Sequence, residues 1–186
     1  MPKHRGTVTL ETERLILRRF VIGDAEAMFR NWASDAQVTK YLTWSAYSDV
    51  EETLRVIKMW IEAYGKETEY QWVIVLKKLG EPIGNISVVR RDDGIGSVSV
   101  GYCIGRAWWG CGYTTEALRE LARFFFEEVG VKRIEARHDT RNPASGRVME
   151  KAGMRLEGIL RQSCENQAGL CDCAQYVILA EDYRRL

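Results

Sequence analysis

Three β-like segments follow one another without a helix between them, and this run limits the possible folds more than any other feature. QWVIVLK (71–77), PIGNISVVR (82–90) and SVSVGYCIG (97–105) are rich in β-branched and aromatic residues, which favour strands. KLGE and DDGIG separate them and are typical of turns. Strands joined by tight turns pair antiparallel. The run therefore predicts an antiparallel meander.

A long amphipathic helix follows the third strand, from about Thr114 to Val129. Apolar residues recur in it at helical spacing and predict one buried face: Ala117, Leu118, Leu121, Ala122, Phe125 and Val129. KRIEARHD (132–139) then predicts another strand. Residues 97–138 therefore predict a strand–helix–strand crossover beside the meander.

Shorter elements precede and follow this centre. ERLILRRF (13–20) predicts a first strand, Asp24 predicts the N-cap of a helix, and Ser48 with Glu51 has the spacing of a capping box. Towards the C-terminus, NPASGRVMEKAG predicts a helix, and MRLEGILR and CAQYVILA predict a closing pair of strands. The pattern is that of a mixed α/β domain of the α+β class.

Composition limits the partners of such a domain. The 27 basic and 26 acidic residues leave a net charge of +1, which favours neither nucleic acid nor an anionic membrane. No apolar run approaches the roughly 20 residues that span a bilayer, and the N-terminus lacks the apolar core of a signal peptide. We predict a soluble, cytoplasmic protein with one domain over residues 8–183, after a flexible tail at 1–7.

The cysteines argue against a disulfide framework. There are five of them, an odd number in a chain of 186 residues, and reduced thiols fit the predicted compartment. The spacing of Cys164, Cys171 and Cys173 matches no strong zinc pattern, so we predict no metal.

The segment GYCIGRAWWGCGYTTEAL (101–118) holds the candidate functional feature. Gly110 and Gly112 lie between a strand and a helix, where free N–H groups and the helix dipole attract an anion. Glycine lets the backbone approach a phosphate, although two glycines at such a place also form ordinary turns. Neither of the better-known Gly-rich phosphate motifs is present.

The stretch from GYCIG to EGILR resembles the acetyl-CoA-binding core of the GNAT acetyltransferases. LETERLILRRFVIGDAEAMF and NWASDAQVTKYLTW narrow the resemblance to the ribosomal-protein N-terminal acetyltransferases, the RimJ/RimL-like branch. Several motifs in one order are more specific than any single one. The resemblance implies a mostly antiparallel, twisted sheet of about seven strands with flanking helices and a splayed strand pair at the CoA site.

The resemblance also implies which residues bind acetyl-CoA. The family's loop R/Q-x-x-G-x-G/A aligns with residues 107–112, and both glycines match. The first position is Ala107 instead of Arg or Gln, with Arg106 immediately before it. The fifth position, often basic in relatives, is Cys111. Main-chain N–H groups would therefore hold the pyrophosphate nearly alone. The implied cofactor-binding residues are Tyr102, Cys103, Ile104, Trp109, Gly110, Cys111, Gly112, Tyr113, Thr114, Asn142 and Ser145.

Acetyl transfer from a thioester to an amine requires stabilisation of the carbonyl oxygen, a partner for the departing sulfur and removal of the amine proton. A strand N–H near Ile104 would stabilise the carbonyl oxygen, and Ser145 would serve the departing sulfur. A carboxylate such as Glu135 would remove the amine proton, directly or through water. Alternative bases stay open, and each of these side chains also fits a purely structural role: Glu116, Asp139 and His138.

Relatives build the acceptor pocket from the early helices and the last strand pair. The implied acceptor residues are Trp32, Tyr41, Trp44 and Trp72, although aromatics on amphipathic elements are more often core. RQSCENQAGLCDC (161–173) would form a loop over the site.

The resemblance implies an acetyl-CoA-dependent N-acetyltransferase, monomeric or homodimeric, that acts on the α-amine of a protein N-terminus. A small amine such as an antibiotic, polyamine or amino acid is an alternative acceptor, because the same fold serves many amines. A third hypothesis is an acyl-CoA-binding sensor without turnover.

Overall fold

The structure is a computed structural model, and it describes residues 1–184. Within them one sheet has eight strands in the order β1-β2-β3-β4-β5-β6-β8-β7. The strands are β1 (Leu10–Glu11), β2 (Leu15–Arg18), β3 (Gln71–Leu76), β4 (Glu81–Asp92), β5 (Ser97–Ile104), β6 (Arg133–Asp139), β7 (Arg155–Asn166) and β8 (Gly169–Leu179). The sheet has one strand more than the seven expected, because the two residues of β1 are too few to show a period.

All neighbouring strands are antiparallel except β5 and β6, which run parallel. The helix α4 (Tyr113–Arg123) makes the crossover between these two strands and continues as a π-helical turn over Phe124–Val129. Gly130 ends it with a φ of 77°. The predicted α+β fold, with its meander and crossover, is confirmed.

The other helices are α1 (Ala25–Met28), α2 (Ala36–Thr39), α3 (Val50–Ala63), α5 (Pro143–Lys151) and α6 (Ala180–Tyr183). A π-helical turn over Phe29–Ala33 extends α1. Among residues 1–184, no helix combines the length and the apolar character needed to cross a membrane.

Two hydrophobic cores lie on opposite faces of the sheet, and alternate residues of β3 enter each. On the face of α4, Trp72 packs edge-on against Phe124, with ring centroids 5.9 Å apart. On the face of α1 and α3, Trp32 and Ile57 are fully buried. Each such side chain stabilises the fold by roughly 1.5–3 kcal/mol. The two cores hold the central strands rigidly from both sides.

Two predicted caps act differently in the structure. Asp49, rather than Ser48, begins α3 by accepting the N–H of Glu52 at 3.0 Å. The Asp24 side chain does not cap α1; it pairs with Arg18 at 2.7 Å. This ion pair, six residues apart in sequence, and a bond from the Val21 N–H at 2.9 Å occupy the Asp24 carboxylate instead.

Several of residues 1–7, the segment predicted as a flexible tail, contact the domain. The Lys3 N–H donates to the carbonyl of Val129 at 2.8 Å, and the Gly6 N–H donates to Glu67 at 2.7 Å. Thr7 is fully buried. These partners are distant in sequence, so no local pattern reveals them.

The segment predicted as a loop over the site (161–173) is mostly strand. β7 and β8 continue almost to the tip of a hairpin, and a disulfide joins Cys164 to Cys173, whose Cα atoms are 6.3 Å apart. The expectation of reduced thiols is therefore wrong for these two cysteines. Their proximity arises from the pairing of β7 with β8, which their spacing alone does not show.

Candidate active site

The parallel strands β5 and β6 separate part-way along their length. They pair through Ser97, Val98 and Ser99, the last opposite Glu135. β5 then continues to Ile104 on β4 alone, while β6 continues on β8. An opening between two central strands leaves one edge of each without a neighbour.

The backbone of β5 faces this opening at two predicted positions. The Gly105 N–H donates to the carbonyl of Ile83 on β4 at 2.8 Å. Because bonded and non-bonded pairs alternate along antiparallel strands, the main-chain polar groups of Tyr102 and Ile104 point away from β4. The Ile104 carbonyl accepts the indole N–H of Trp109 at 2.9 Å. Its N–H is directed into the opening, where an extended ligand could pair like a strand.

The loop after β5 presents a run of unused N–H groups. Its first part, Arg106–Trp108, is a 3₁₀ turn in which the Trp108 and Trp109 N–H groups bond Gly105 and Arg106. Within the described chain, the N–H groups of residues 110–115 donate to no protein acceptor, whereas Glu116 donates to Gly112 at 3.1 Å. The free N–H groups of the loop thus lie at 110–115, later than the aligned 107–112.

Gly110 and Gly112 have φ angles of 76° and 81°, in the left-handed region that strains other residues. Gly112 is the N-cap of α4. Left-handed residues alternating with ordinary ones turn successive N–H groups towards one concave surface, and the helix dipole adds positive potential there. The geometry fits a pyrophosphate.

The N-terminus of α5 lies across the opening from β5. The Tyr102 hydroxyl donates to the carbonyl of Ser145 at 3.1 Å and lies 3.0 Å from the Ser145 Oγ. Burial raises the pKa of Tyr102. Asn142 occupies the N-cap, but its side chain makes no capping bond. Its amide therefore has the freedom to bind a ligand, where a pure cap would not.

Three features therefore adjoin the end of β5: a strand edge, a loop with free N–H groups and the start of α5. A model of the "Acetyltransferase (GNAT) domain" family matches residues 14–155. The chain belongs to the GNAT acetyltransferase family. It is an acyltransferase of a family that takes its acetyl group from acetyl-CoA, and the free groups just described fit that molecule.

The relatives and solved structures are consistent with this assignment. The chain is 30% identical to the uncharacterised N-acetyltransferase p20 of Bacillus licheniformis, over 94% of this chain and 98% of p20. Its fold matches the ribosomal-protein-S5-alanine acetyltransferase of Vibrio fischeri with a TM-score of 0.82 at 18% identity, over 95% and 98% of the two chains. The microcin C7 self-immunity acetyltransferase MccE, solved with acetyl-CoA and AMP, has a TM-score of 0.82 at 19% identity, over 90% and 93%.

In this GNAT domain, three candidate carboxylates are each held by an arginine. Glu135 lies at the base of the opening and accepts from Arg133 at 2.5 Å, and Gln175 lies 3.3 Å from it. Arg14 and Arg141 hold the other two, Glu116 and Asp139.

The pKa values of two of these carboxylates are shifted downwards. The Arg141 guanidinium holds the pKa of Asp139 well below its usual range, although burial opposes this. Burial acts to raise the pKa of Glu116, but the hydrogen bonds from Thr12 and Arg14 outweigh it and leave the pKa lowered. Paired carboxylates of this kind are weak proton acceptors.

His138, the remaining candidate base, is on the flank of α5 that faces β7. There a cavity of about 300 Å³ is lined by His138, Thr140, Pro143, Gly146, Arg147, Glu150, Leu156, Ile159, Ala174 and Tyr176. Its Nδ1 donates to the Asp139 carbonyl at 2.7 Å. Asn142 and Ser145, on the cofactor side, do not line this cavity.

Two of the four predicted acceptor residues are core residues. Trp72 is fully buried on the α4 face and donates to the Val8 carbonyl at 2.6 Å, and Trp32 is fully buried beneath α3. Neither has surface left for an acceptor. Tyr41 and Trp44 are half-buried in the segment between α2 and α3. They stay predicted acceptor residues.

The hairpin tip meets the segment that carries Tyr41 and Trp44. The Gln167 N–H donates to the Leu42 carbonyl at 3.1 Å. The two regions predicted to form the acceptor side therefore join at one rim, although the hairpin replaces the expected loop.

Two side-chain contacts at the site cannot be recognised in the sequence. Tyr102 is among the predicted cofactor-binding residues, but the sequence does not show that its hydroxyl contacts Ser145, 43 residues away. Arg14 contacts Cys111 in the Gly loop, 97 residues away. Pairs so distant in sequence become visible only when the sheet is assembled.

Proposed function

We propose that this chain transfers the acetyl group of acetyl-CoA to the α-amine of a protein or peptide N-terminus. The pairing of the candidate carboxylates with arginines carries the proposal. An α-amine has a pKa of about 7.7–8.0 and is substantially neutral near pH 7.5, whereas a lysine, near 10.4, is almost fully protonated. A site without a strong free base suits the more acidic amine.

Acetyl-CoA supplies an acetyl thioester, whose carbonyl carbon the neutral amine attacks. A C–N bond forms as the C–S bond breaks, the amine proton passes to water or a carboxylate, and the thiolate takes up a proton. The Ile104 N–H, directed into the opening, would stabilise the carbonyl oxygen as negative charge develops. No covalent bond to the enzyme is required.

The Tyr102 and Ser145 hydroxyls would donate a hydrogen bond or a proton to the departing sulfur. They lie 3.0 Å apart at the opening. Because burial raises the pKa of Tyr102, its proton is retained at neutral pH. A neutral hydroxyl still carries its proton, so it can donate a hydrogen bond or that proton to a thiolate.

The shape of the acceptor side also supports a peptide. Tyr41 and Trp44 are half-buried in a segment that the β7–β8 hairpin tip contacts at Leu42. Within residues 1–184 no group of three or more His, Cys, Asp or Glu side chains is arranged to hold a metal ion. The ribosomal-protein likeness rests on fold alone, and MccE shows that the same fold also serves a self-immunity enzyme.

The test is a thiol-release assay with acetyl-CoA and matched acceptors. One peptide has a free N-terminus, a second has a blocked N-terminus and one lysine, and a polyamine and an aminoglycoside complete the set. We expect the free α-amine to be preferred by roughly 100-fold at pH 7.5, with the preference shrinking towards pH 10 as lysine loses its proton.

Two outcomes would replace the proposal. Preference for the polyamine or aminoglycoside would make the protein a small-amine acetyltransferase. Acetyl-CoA binding without thiol release for any amine would make it an acyl-CoA sensor.

A further inference from the structure

The N-terminal β1–β2 hairpin reaches the Gly loop through one arginine. Arg14 Nη1 donates to the Cys111 carbonyl at 3.1 Å, and its guanidinium lies over the Tyr113 ring, 4.5 Å from the centroid. A Cβ built on Gly112 would lie 3.5 Å from Arg14 Nη2. Arg14 thus contacts the loop on both sides of its second glycine.

A carboxylate fixes the orientation of this guanidinium. Arg14 Nε donates to Glu116 at 2.6 Å, and the Arg14 N–H donates to the same side chain at 2.9 Å. Thr12 adds a third bond to it at 2.5 Å. Three groups of one distant segment, the Cys111 carbonyl, the Tyr113 ring and the Glu116 carboxylate, therefore restrict Arg14 to one position, although the residue is exposed.

Glu116 is an unexpected residue for an anion-binding helix start. It lies in the first turn of α4, next to the free N–H groups of residues 110–115. An unpaired carboxylate there would repel phosphates, and Arg14 neutralises it.

Arg106, the basic residue nearest in sequence to the unfilled Arg/Gln position, cannot take this role in the structure. It pairs with Asp35 on the other side of the loop at 2.9 Å.

We infer that Arg14 is the positioning residue of the acetyl-CoA pyrophosphate site. By holding the Cys111 carbonyl it keeps the neighbouring N–H groups directed at the ligand, and by pairing with Glu116 it keeps the helix start free of net negative charge. The inference rests on the proposed use of acetyl-CoA, and it assigns to the N-terminal hairpin a function beyond completing the sheet.

The experiment compares two acetyl donors, acetyl-CoA and S-acetylpantetheine, which lacks the pyrophosphate. Arg14→Met should raise the KM for acetyl-CoA about tenfold, the effect of one charge-assisted contact, and change kcat/KM for S-acetylpantetheine by less than about twofold. Arg14→Lys keeps the charge but not the planar geometry, so its KM for acetyl-CoA should lie between those of the wild type and Arg14→Met. Arg14→Met/Glu116→Gln should recover part of the loss by removing the exposed carboxylate.

Arg19→Met is the matched control. Arg19 also donates to a carbonyl, that of Thr7 at 2.7 Å, and lies over a tyrosine ring, Tyr64, but it does not contact the loop. It should leave the KM for acetyl-CoA within about twofold of wild type.

Two results would overturn the inference alone: an unchanged KM for acetyl-CoA in Arg14→Met, or equal losses with both donors, which would indicate general damage. If Arg14→Met does not fold, the same comparison in Arg14→Lys decides the matter. Failure of the wild type to bind acetyl-CoA would overturn the proposed function as well, and calorimetry on the wild type makes that case distinct.

Discussion

At the scale of single residues, Tyr102 joins the two sides of the site. It lies on β5, yet its hydroxyl contacts both the carbonyl and the Oγ of Ser145 on α5. Side-chain alternation along β5 could predict that Tyr102 lies on the α4 face. It could not predict the partner, because the height of α5 above the sheet depends on the packing of the whole crossover.

Tyr102→Phe should lower kcat about tenfold and leave the KM for acetyl-CoA within about threefold, since it removes a proton donor but keeps the ring. Because burial raises the pKa of Tyr102, the ratio of wild-type to variant rates should stay constant from pH 6 to 9. Steady-state kinetics across this range checks both points. Tyr176→Phe is the control, because its hydroxyl bonds Glu150 at 3.0 Å on the other flank of α5. Equal rates for Tyr102→Phe and wild type would contradict the proposed role.

The two cysteines at the predicted CoA site differ in accessibility. Cys111 is exposed in the Gly loop, whereas Cys103 is buried, and burial raises its pKa to about 12. Only a thiolate reacts readily, so N-ethylmaleimide at pH 7.5 should modify Cys111 first.

The adduct at Cys111 should weaken acetyl-CoA binding, and prior addition of acetyl-CoA should protect the thiol. Cys111→Ala should bind acetyl-CoA within about threefold of wild type and lose the sensitivity, since main-chain groups do the binding. Mass spectrometry and calorimetry follow the two effects. Inactivation of Cys111→Ala by the reagent would show that another thiol matters.

At the scale of elements, local sequence patterns predict the two strands of the β7–β8 hairpin but not its tip. Both strands are predicted from their β-branched and apolar residues, but the tip, rich in polar residues and Gly, resembles a loop. Pairing of Cys164 opposite Cys171, and the disulfide to Cys173, extend the strands almost to the turn. The three β segments and the crossover helix needed no such long-range contact and were predicted correctly. β-branched and aromatic composition indicates the segments, and apolar residues at helical spacing indicate the helix.

The disulfide should stabilise this hairpin tip. Cys164→Ser should lower the free energy of unfolding by about 2–3 kcal/mol, the expected effect of opening so short a covalent loop. Cys111→Ala, with an exposed and unpaired thiol, is the control. Alkylation in denaturant should label three cysteines before reduction and five after it. Five labels before reduction would rule out the disulfide.

At the scale of the whole molecule, the site is assembled from three stretches of chain on one side of a divided sheet. The order of the motifs could predict that they come together. The N-terminal hairpin that contacts the Gly loop, and the first seven residues that lie along the domain, could not be predicted. Their partners are 60 to more than 100 residues away.

Hydrogen–deuterium exchange across the chain, with and without acetyl-CoA, tests the assembled site most directly. We predict slower exchange on binding at Tyr102, at Ile104 and at 110–115, because the free N–H groups there acquire an acceptor. Exchange should also slow around Asn142 and Ser145, because the ligand shields their bonded N–H groups from solvent. β7 residues beside the cavity, such as Leu156 and Ile159, should be unchanged. Protection confined to β7 and the facing flank of α5, with none at 110–115, would contradict the account.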